Sequence, residues 1–233
     1  MHEISPSVAY IAGGSDEDLR RIYLGYKQCY ADDKKMEDLI KSGFEYESPE
    51  DMEKFIVKIM AGGHVSPLEH ASITFHVICS RACSHQLVRH RLASYSQQSQ
   101  RYVKMDDIPV IIPESLKQDR DAKNFFFLHL KEAEACYKGA IKNGVPAEDA
   151  RAMLPNCTGT ELVVTMNYRE LLHFFNERCC NRAQWEIRGI ANDMLRIAHW
   201  CHPLLFKDAG PKCLAMKRCP ELKPCGKQPW KQA

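Results

Sequence analysis

The 233-residue chain lacks the glycine signatures of the common nucleotide-binding folds. Gly13-Gly14 and Gly62-Gly63 are isolated pairs, and neither a Rossmann glycine turn nor a phosphate-binding P-loop occurs. A Gly-x-Ser-x-Gly nucleophile elbow is missing as well. Phosphates, if bound, must therefore meet arginines and backbone amides. Long hydrophobic runs are also absent: the most apolar windows, near residues 71–79 and 162–166, are far too short to span a bilayer. The first turns carry Asp16, Glu17 and Asp18 and no basic start followed by an apolar run, which argues against a signal peptide and for a cytoplasmic protein. Charge of one sign is missing too. Lys and Arg number 32 against 30 Asp and Glu, and a net +2 is too small for a general nucleic-acid or membrane binder. Basic residues matter here only where they cluster.

What is present is a core: 45% of residues are apolar and 27% charged, as in a soluble globular chain of one domain. Cysteine is abundant, at eleven. Eight are scattered through apolar segments and read as small buried hydrophobes. The other three, Cys213, Cys219 and Cys225, recur every six residues in a Lys-, Pro- and Gly-rich stretch without periodicity. This divides the chain into residues 1–206 and a tail, 207–233. The tail cysteines, with Cys201 or His202 as a fourth ligand, are spaced more widely than usual zinc ligands, and a reduced tail without metal is the other reading.

The periodicity predicts helices from Ser15 through Tyr26, from Ser48 to Gly62, over 81–91, over 114–142, over 148–154, over 168–178 and over 182–200. Strands are expected at 71–79 and 161–166, and an edge strand or extended loop at 108–112. With no strict β-then-α alternation, the class is α+β.

The richest stretch is Arg89-His90-Arg91-Leu-Ala-Ser94-Tyr-Ser96-Gln97-Gln98-Ser99-Gln100-Arg101. It has few apolar positions and many donors, and its arginine forks match phosphate or carboxylate oxygens. Gln86, Arg89 and His90 would share one face of the preceding helix. Residue types alone leave two readings open: an anion site, or a solvated helix end whose cations complement the dipole. Elsewhere, Glu69-His70 precedes a strand bearing Ser72 and Thr74. Arg151 precedes Leu154-Pro155, Asn167 ends a strand, and Arg178 ends an apolar stripe with Leu171, Phe174 and Phe175. Such an arginine either snorkels to water or is held at a pocket.

Taken in order, these motifs resemble the flavin-dependent thymidylate synthases. The family signature is Arg-His-Arg, seven residues, then Ser. Arg89, His90, Arg91 and Ser99 meet it, with Ser94 and Arg101 in its extended form. The resemblance covers roughly residues 10–205. It includes Phe75-His76, Ala150-Arg151-x-x-Leu154-Pro155, Asn167-Tyr168-Arg169, Arg178 and Ala183-Gln-Trp-Glu-Ile187.

The resemblance implies an α+β fold with a mixed or antiparallel sheet and long flanking helices, a single catalytic domain over residues 1–206, and a homotetramer with shared active sites. It implies FAD as cofactor, and methylation of deoxyuridylate with 5,10-methylenetetrahydrofolate as carbon donor and NADPH as reductant, with no metal. Flavin contacts are implied at Ser72, Arg89, His90, Arg91, Gln97, Asn167, Tyr168, Arg169 and His173. The deoxyuridylate site is implied at Gln86, Leu87, Val88, Arg89, Gln97, Gln98, Ser99, Gln100, Arg101, Arg151 and Arg178. Arg178 is the catalytic residue, a cation against the uracil ring that stabilises charge developing there. Ser99 is read as a binding residue, since no base beside it would activate its hydroxyl. Gln97 stands where many members have glutamate, and His173 where many have asparagine. Two rivals are a nucleic-acid surface built on the basic residues, which the near-neutral charge weakens, and a zinc-stabilised interaction protein. Neither explains Arg151 or Arg178.

Overall fold

The computed structural model describes residues 1–32, 37–38, 40–41 and 47–227. The chain is of the mixed α and β kind. Strands β2 (Ser7–Gly13), β3 (Ser72–Ser80), β6 (Gly159–Asn167) and β4 (Ala93–Gln97) form one sheet in the order β2-β3-β6-β4. β3 and β6 are antiparallel: the Ala71 carbonyl accepts from Tyr168 at one end, and the Thr158 carbonyl from Arg81 at the other. A short pair, β1 (His2–Glu3) with β5 (Pro109–Val110), is parallel. Two compact units divide the chain, Met1–Val8, His76–Arg89 and Tyr95–Val163 in the first, Ala9–Phe75, His90–Ser94 and Val164–Ala233 in the second.

β3 alternates as a half-buried strand should. Ile73, Phe75, Val77 and Cys79 are wholly buried, while Ser72, Thr74, His76 and Ile78 are half-exposed. Ile73, Phe75 and Val77 each contribute about 1.5–3 kcal/mol on burial.

In the second unit, helix α1 (Asp16–Gln28) opens on a capping box: Ser15 accepts from the Asp18 backbone while the Asp18 carboxylate accepts from Ser15. Helix α2 (Pro49–Met60) opens on Ser48, whose hydroxyl accepts from Asp51. Gly13 ends β2 at φ +90°, and a Cβ there would stand 2.1 Å from the Ser72 carbonyl oxygen, so only glycine fits.

In the first unit, helix α3 (Arg81–Leu87) is capped by Ser80. Helix α4 (Glu114–Gln118) is followed by α5 (Arg120–Lys142) and α6 (Ala147–Ala150), which runs into a 3-10 turn over Arg151–Met153. Met105, Ile108, Tyr137 and Ala150 form one apolar cluster there.

The second unit continues with α7 (Tyr168–Arg178), α8 (Trp185–Cys201) and α9 (Lys212–Met216). Leu171, Phe174, Phe175, Ile190, Met194 and Phe206 belong to its core.

Several expectations need correction. The helix over 81–91 stops at Leu87, because the Tyr95 hydroxyl takes the Leu87 carbonyl that a further turn would bond. Arg89 and His90 therefore do not share a helix face with Gln86. The polar stretch after it, to which the sequence assigned no strand, contains strand β4. The helix over 114–142 is broken at Asp119, which is extended (φ −107°, ψ 117°) and caps α5 through Asp121 and Ala122. Strand β2 was not expected at all. Of the eight scattered cysteines only Cys79, Cys83 and Cys179 are buried, whereas Cys29 and Cys136 are exposed. No described helix is long and apolar enough to cross a membrane.

Candidate functional site

In the second unit, Asn167 ends β6 and starts α7 by accepting from the Glu170 backbone at 2.8 Å. That cap fixes the helix phase. Glu170, Phe174 and Arg178 then recur every four residues and lie along one face. His90 packs against this face, its ring 4.8 Å from Phe174 in an edge contact at 85° and 5.6 Å from His173. His90 Nδ1 and Glu170 Oε1 are 3.0 Å apart, and Arg178 Nε donates to His90 Nε2 at 3.0 Å.

These two bonds fix the tautomer. Nε2 accepts from a guanidinium that cannot lose its proton, so the ring hydrogen sits on Nδ1 and is donated to Glu170. Burial is the main force holding the imidazole below its ordinary pKa, and Arg178 and His173 push the same way against the Glu170 carboxylate. A buried carboxylate and a guanidinium are thus joined through a neutral ring, which satisfies the 5%-exposed Glu170. His90, Glu170 and His173 bring ligand atoms within 4.8 Å of one another. The guanidinium engages the Nε2 lone pair and Nδ1 carries the proton, so this His90 does not offer a metal an electron pair.

Around this triad, Arg91, Arg169 and His173 are exposed and Ser72 half-buried. Arg169 pairs with Glu69 at 2.5 Å. Tyr168 differs from the rest: its ring is fully buried on Phe206, and its hydroxyl lies 2.7 Å from His202 Nε2. Its side chain belongs to the core.

The first unit holds the other group. α3 carries Gln86 and the buried Leu87, with Val88 as its cap residue and Arg89 exposed beyond it. The Gln97 amide donates to the hydroxyls of Ser84 at 3.1 Å and Thr160 at 3.2 Å. The Gln98 backbone donates to the Glu161 carbonyl, and Ser99 Oγ accepts from the Arg101 backbone. Arg101 and Arg151 meet at one residue. Arg101 Nε lies 2.6 Å from the Glu148 carboxylate, and Arg151 Nε donates to the Glu148 carbonyl at 2.9 Å. Arg151 in turn acts with burial, the larger cause, to lower the Arg81 guanidinium pKa, so three arginines share this neighbourhood. Gln100 Nε2 is one of few buried side-chain atoms, among the described residues, without a hydrogen-bond partner.

The residues implied for deoxyuridylate thus fall in the first unit, apart from Arg178, and those implied for flavin fall mostly in the second, apart from Arg89 and Gln97. Sequence reasoning missed Glu170 and Arg81. The signal for Glu170 was its spacing of four from Phe174 and eight from Arg178, an acid on an apolar stripe. Arg81 carried no such signal, because its importance comes from Arg151.

Comparison with known proteins gives these residues a context. The sequence pattern of the family described as "Thymidylate synthase complementing protein" matches residues 13–204. The chain is 51% identical over 177 residues to the flavin-dependent thymidylate synthase of Geobacter sulfurreducens, covering 75% of this chain and 76% of that one. It is 46% identical over 187 residues to that of Pyrococcus furiosus, covering 76% and 77%. The protein of that name from Nitratidesulfovibrio vulgaris is 41% identical over 249 aligned residues, spanning 100% of this chain and 99% of its own. With the family pattern covering most of its length, the chain belongs to the flavin-dependent thymidylate synthase family of enzymes.

Proposed function

We propose that the chain converts deoxyuridylate to thymidylate, with FAD bound, 5,10-methylenetetrahydrofolate as carbon donor and NADPH as reductant. The work is carried by residues 1–206 in a cytoplasmic homotetramer with shared active sites. The single observation that carries this reading is the Arg178–His90–Glu170 chain. It sets a permanently charged guanidinium at the end of α7 in a fixed orientation. The names of the relatives support the reaction class.

The donor sets fit the ligands. Arg91, Arg169 and His173, exposed near the buried His90, suit the anionic groups of a dinucleotide, with Ser72, Asn167, Arg89 and Gln97 as further contacts. Arg101 and Arg151 suit a phosphate. Gln100 Nε2 is a buried donor awaiting an acceptor, as a ligand oxygen would supply. Bound flavin would supply hydride chemistry. The chain's own residues hold the pyrimidine nucleotide, and Arg178 stabilises negative charge developing on its ring while His90 keeps the guanidinium in place.

The test is direct. Purified protein should be yellow, release FAD on denaturation, and form thymidylate from deoxyuridylate with NADPH oxidation. Arg178→Ala should lower turnover on the order of a hundredfold or more while leaving flavin bound. Colourless protein that cannot be reconstituted with FAD sinks the reading, as does full activity in Arg178→Ala.

A further inference from the structure

Helix α7 carries an acid in its first turn and a cation in its last, the order its dipole favours. These two, Glu170 and Arg178, stand eight residues apart, beyond the three or four that an ordinary ion pair along a helix spans. The His90 ring, from another segment of the same unit, bridges them with its two nitrogens, each 3.0 Å from its partner. The company Glu170 keeps makes it conspicuous. The other buried residues of α7 are Tyr168, Leu171, Phe174 and Phe175, none of them charged.

Packing alone does not call for a carboxylate at this position. An apolar side chain on the same stripe would bury without the cost of stripping water from a charge. What the carboxylate adds is an acceptor for the Nδ1–H of His90. That bond leaves the Nε2 lone pair turned towards Arg178. Without it, the ring is free to carry its proton on Nε2 instead, and there it would meet the guanidinium donor to donor.

A second proton on the ring has the same effect. It enters at Nε2, since Nδ1 already holds one, and ends the bond from Arg178 Nε. The charged and titratable groups that act on the ring are Glu170, Arg178 and His173, all on α7. Arg89 and Arg91, on either side of it in the chain, are exposed. Burial is the largest force against the second proton, and Arg178 and His173 add to it. Glu170 favours that proton, by its hydrogen bond and by its charge.

We propose that Glu170 is a positioning residue for Arg178: through His90 it fixes the tautomer on which the guanidinium rests, and it sets the acidity at which that support is withdrawn. The proposal rests on the role given above to Arg178 in thymidylate formation. Its geometric part, the hold of Glu170 on the His90 ring, is tested apart from that reaction.

The test uses FAD-saturated protein with isotope-labelled histidine. Nuclear magnetic resonance should show His90, assigned through His90→Gln, carrying its proton on Nδ1 at neutral pH. In Glu170→Leu that single tautomer should be lost. In Glu170→Gln, whose amide oxygen still accepts, it should persist, with the second protonation moved to lower pH. In thymidylate formation, Glu170→Leu should lower kcat roughly tenfold or more. The KM for deoxyuridylate should stay within about threefold. Glu170→Gln should restore most of kcat and move the acid limb of its pH profile downwards, a shift that a merely structural carboxylate would not produce. An Nδ1 tautomer kept intact in Glu170→Leu overturns the proposal, as does a His90 titration unmoved in Glu170→Gln. If circular dichroism shows Glu170→Leu unfolded, the Glu170→Gln titration decides. Wild-type protein that makes no thymidylate overturns the reaction instead, and the resonance measurements still decide whether Glu170 holds the ring.

Discussion

His202 has exchanged water for one neutral partner, the Tyr168 hydroxyl, at 2% exposure. Burial pushes its pKa down to about 4, with Asp18 and Asp16 pulling weakly the other way. In the unfolded chain the value returns to about 6.5. The unfolded state therefore binds the proton more readily between these values. The stability contribution is whole above about pH 6.5 and is lost as pH falls towards 4. From pH 7 to pH 5 this amounts to about 2 kcal/mol. Urea melts of the wild type should show that loss, and His202→Gln should show a correspondingly flatter pH response. Equal slopes in both proteins would remove His202 as the acid-sensitive group. His90 is held neutral by the same force, but there the lost water is replaced by Glu170 and Arg178. Burial makes one histidine an acid-labile part of the core and the other a link in a charged chain.

Asp119 is the clearest element-scale device. Its carboxylate accepts from both Asp121 and Ala122, at 2.9 and 3.0 Å, and lets α5 begin where α4 ends. Asp119→Ala should cost about 1 kcal/mol of stability, read from the denaturation midpoint at unchanged slope. An unmoved midpoint would mean that packing alone breaks the helix. The break illustrates what sequence conceals. Helices α1, α2 and α7 were legible because a cap residue precedes an apolar stripe at helical spacing, and β3 because its residues alternate. A cap buried inside a continuous periodic pattern, as at Asp119, gives no such punctuation. Strands β2 and β4 stand at the two ends of the sheet order, where a polar or irregular sequence suffices and alternation is weak. The end of α3 is set by Tyr95, eight residues beyond the carbonyl it takes. Glu170 lies 80 residues from His90, and no local pattern announces such a pair.

At the scale of the whole molecule, the Nitratidesulfovibrio relative aligns along the entire chain, while the family pattern ends at residue 204. The motifs that carry the family resemblance were legible because several occur in order along nearly 200 residues. The proposed tetramer has a plain test. Light scattering should give four chain masses, and the melting temperature should rise with protein concentration. One chain mass at every concentration would exclude shared active sites.

The Gln97 network has a direction. Its amide donates to Ser84, and the Ser84 hydroxyl donates onward to the Arg81 carbonyl at 3.0 Å, so every proton points away from residue 97. A glutamate at this position accepts instead, and Ser84 would have to abandon Arg81 to reach it. The glutamine thus reverses the polarity of the relay and leaves it without a titrating group at that position. At the proposed nucleotide site this removes one source of acid sensitivity that a carboxylate would impose. A chain with glutamate at 97 would carry one more negative charge beside Ser84 and Thr160 and, at the proposed site, bind an anion less readily as that carboxyl ionises.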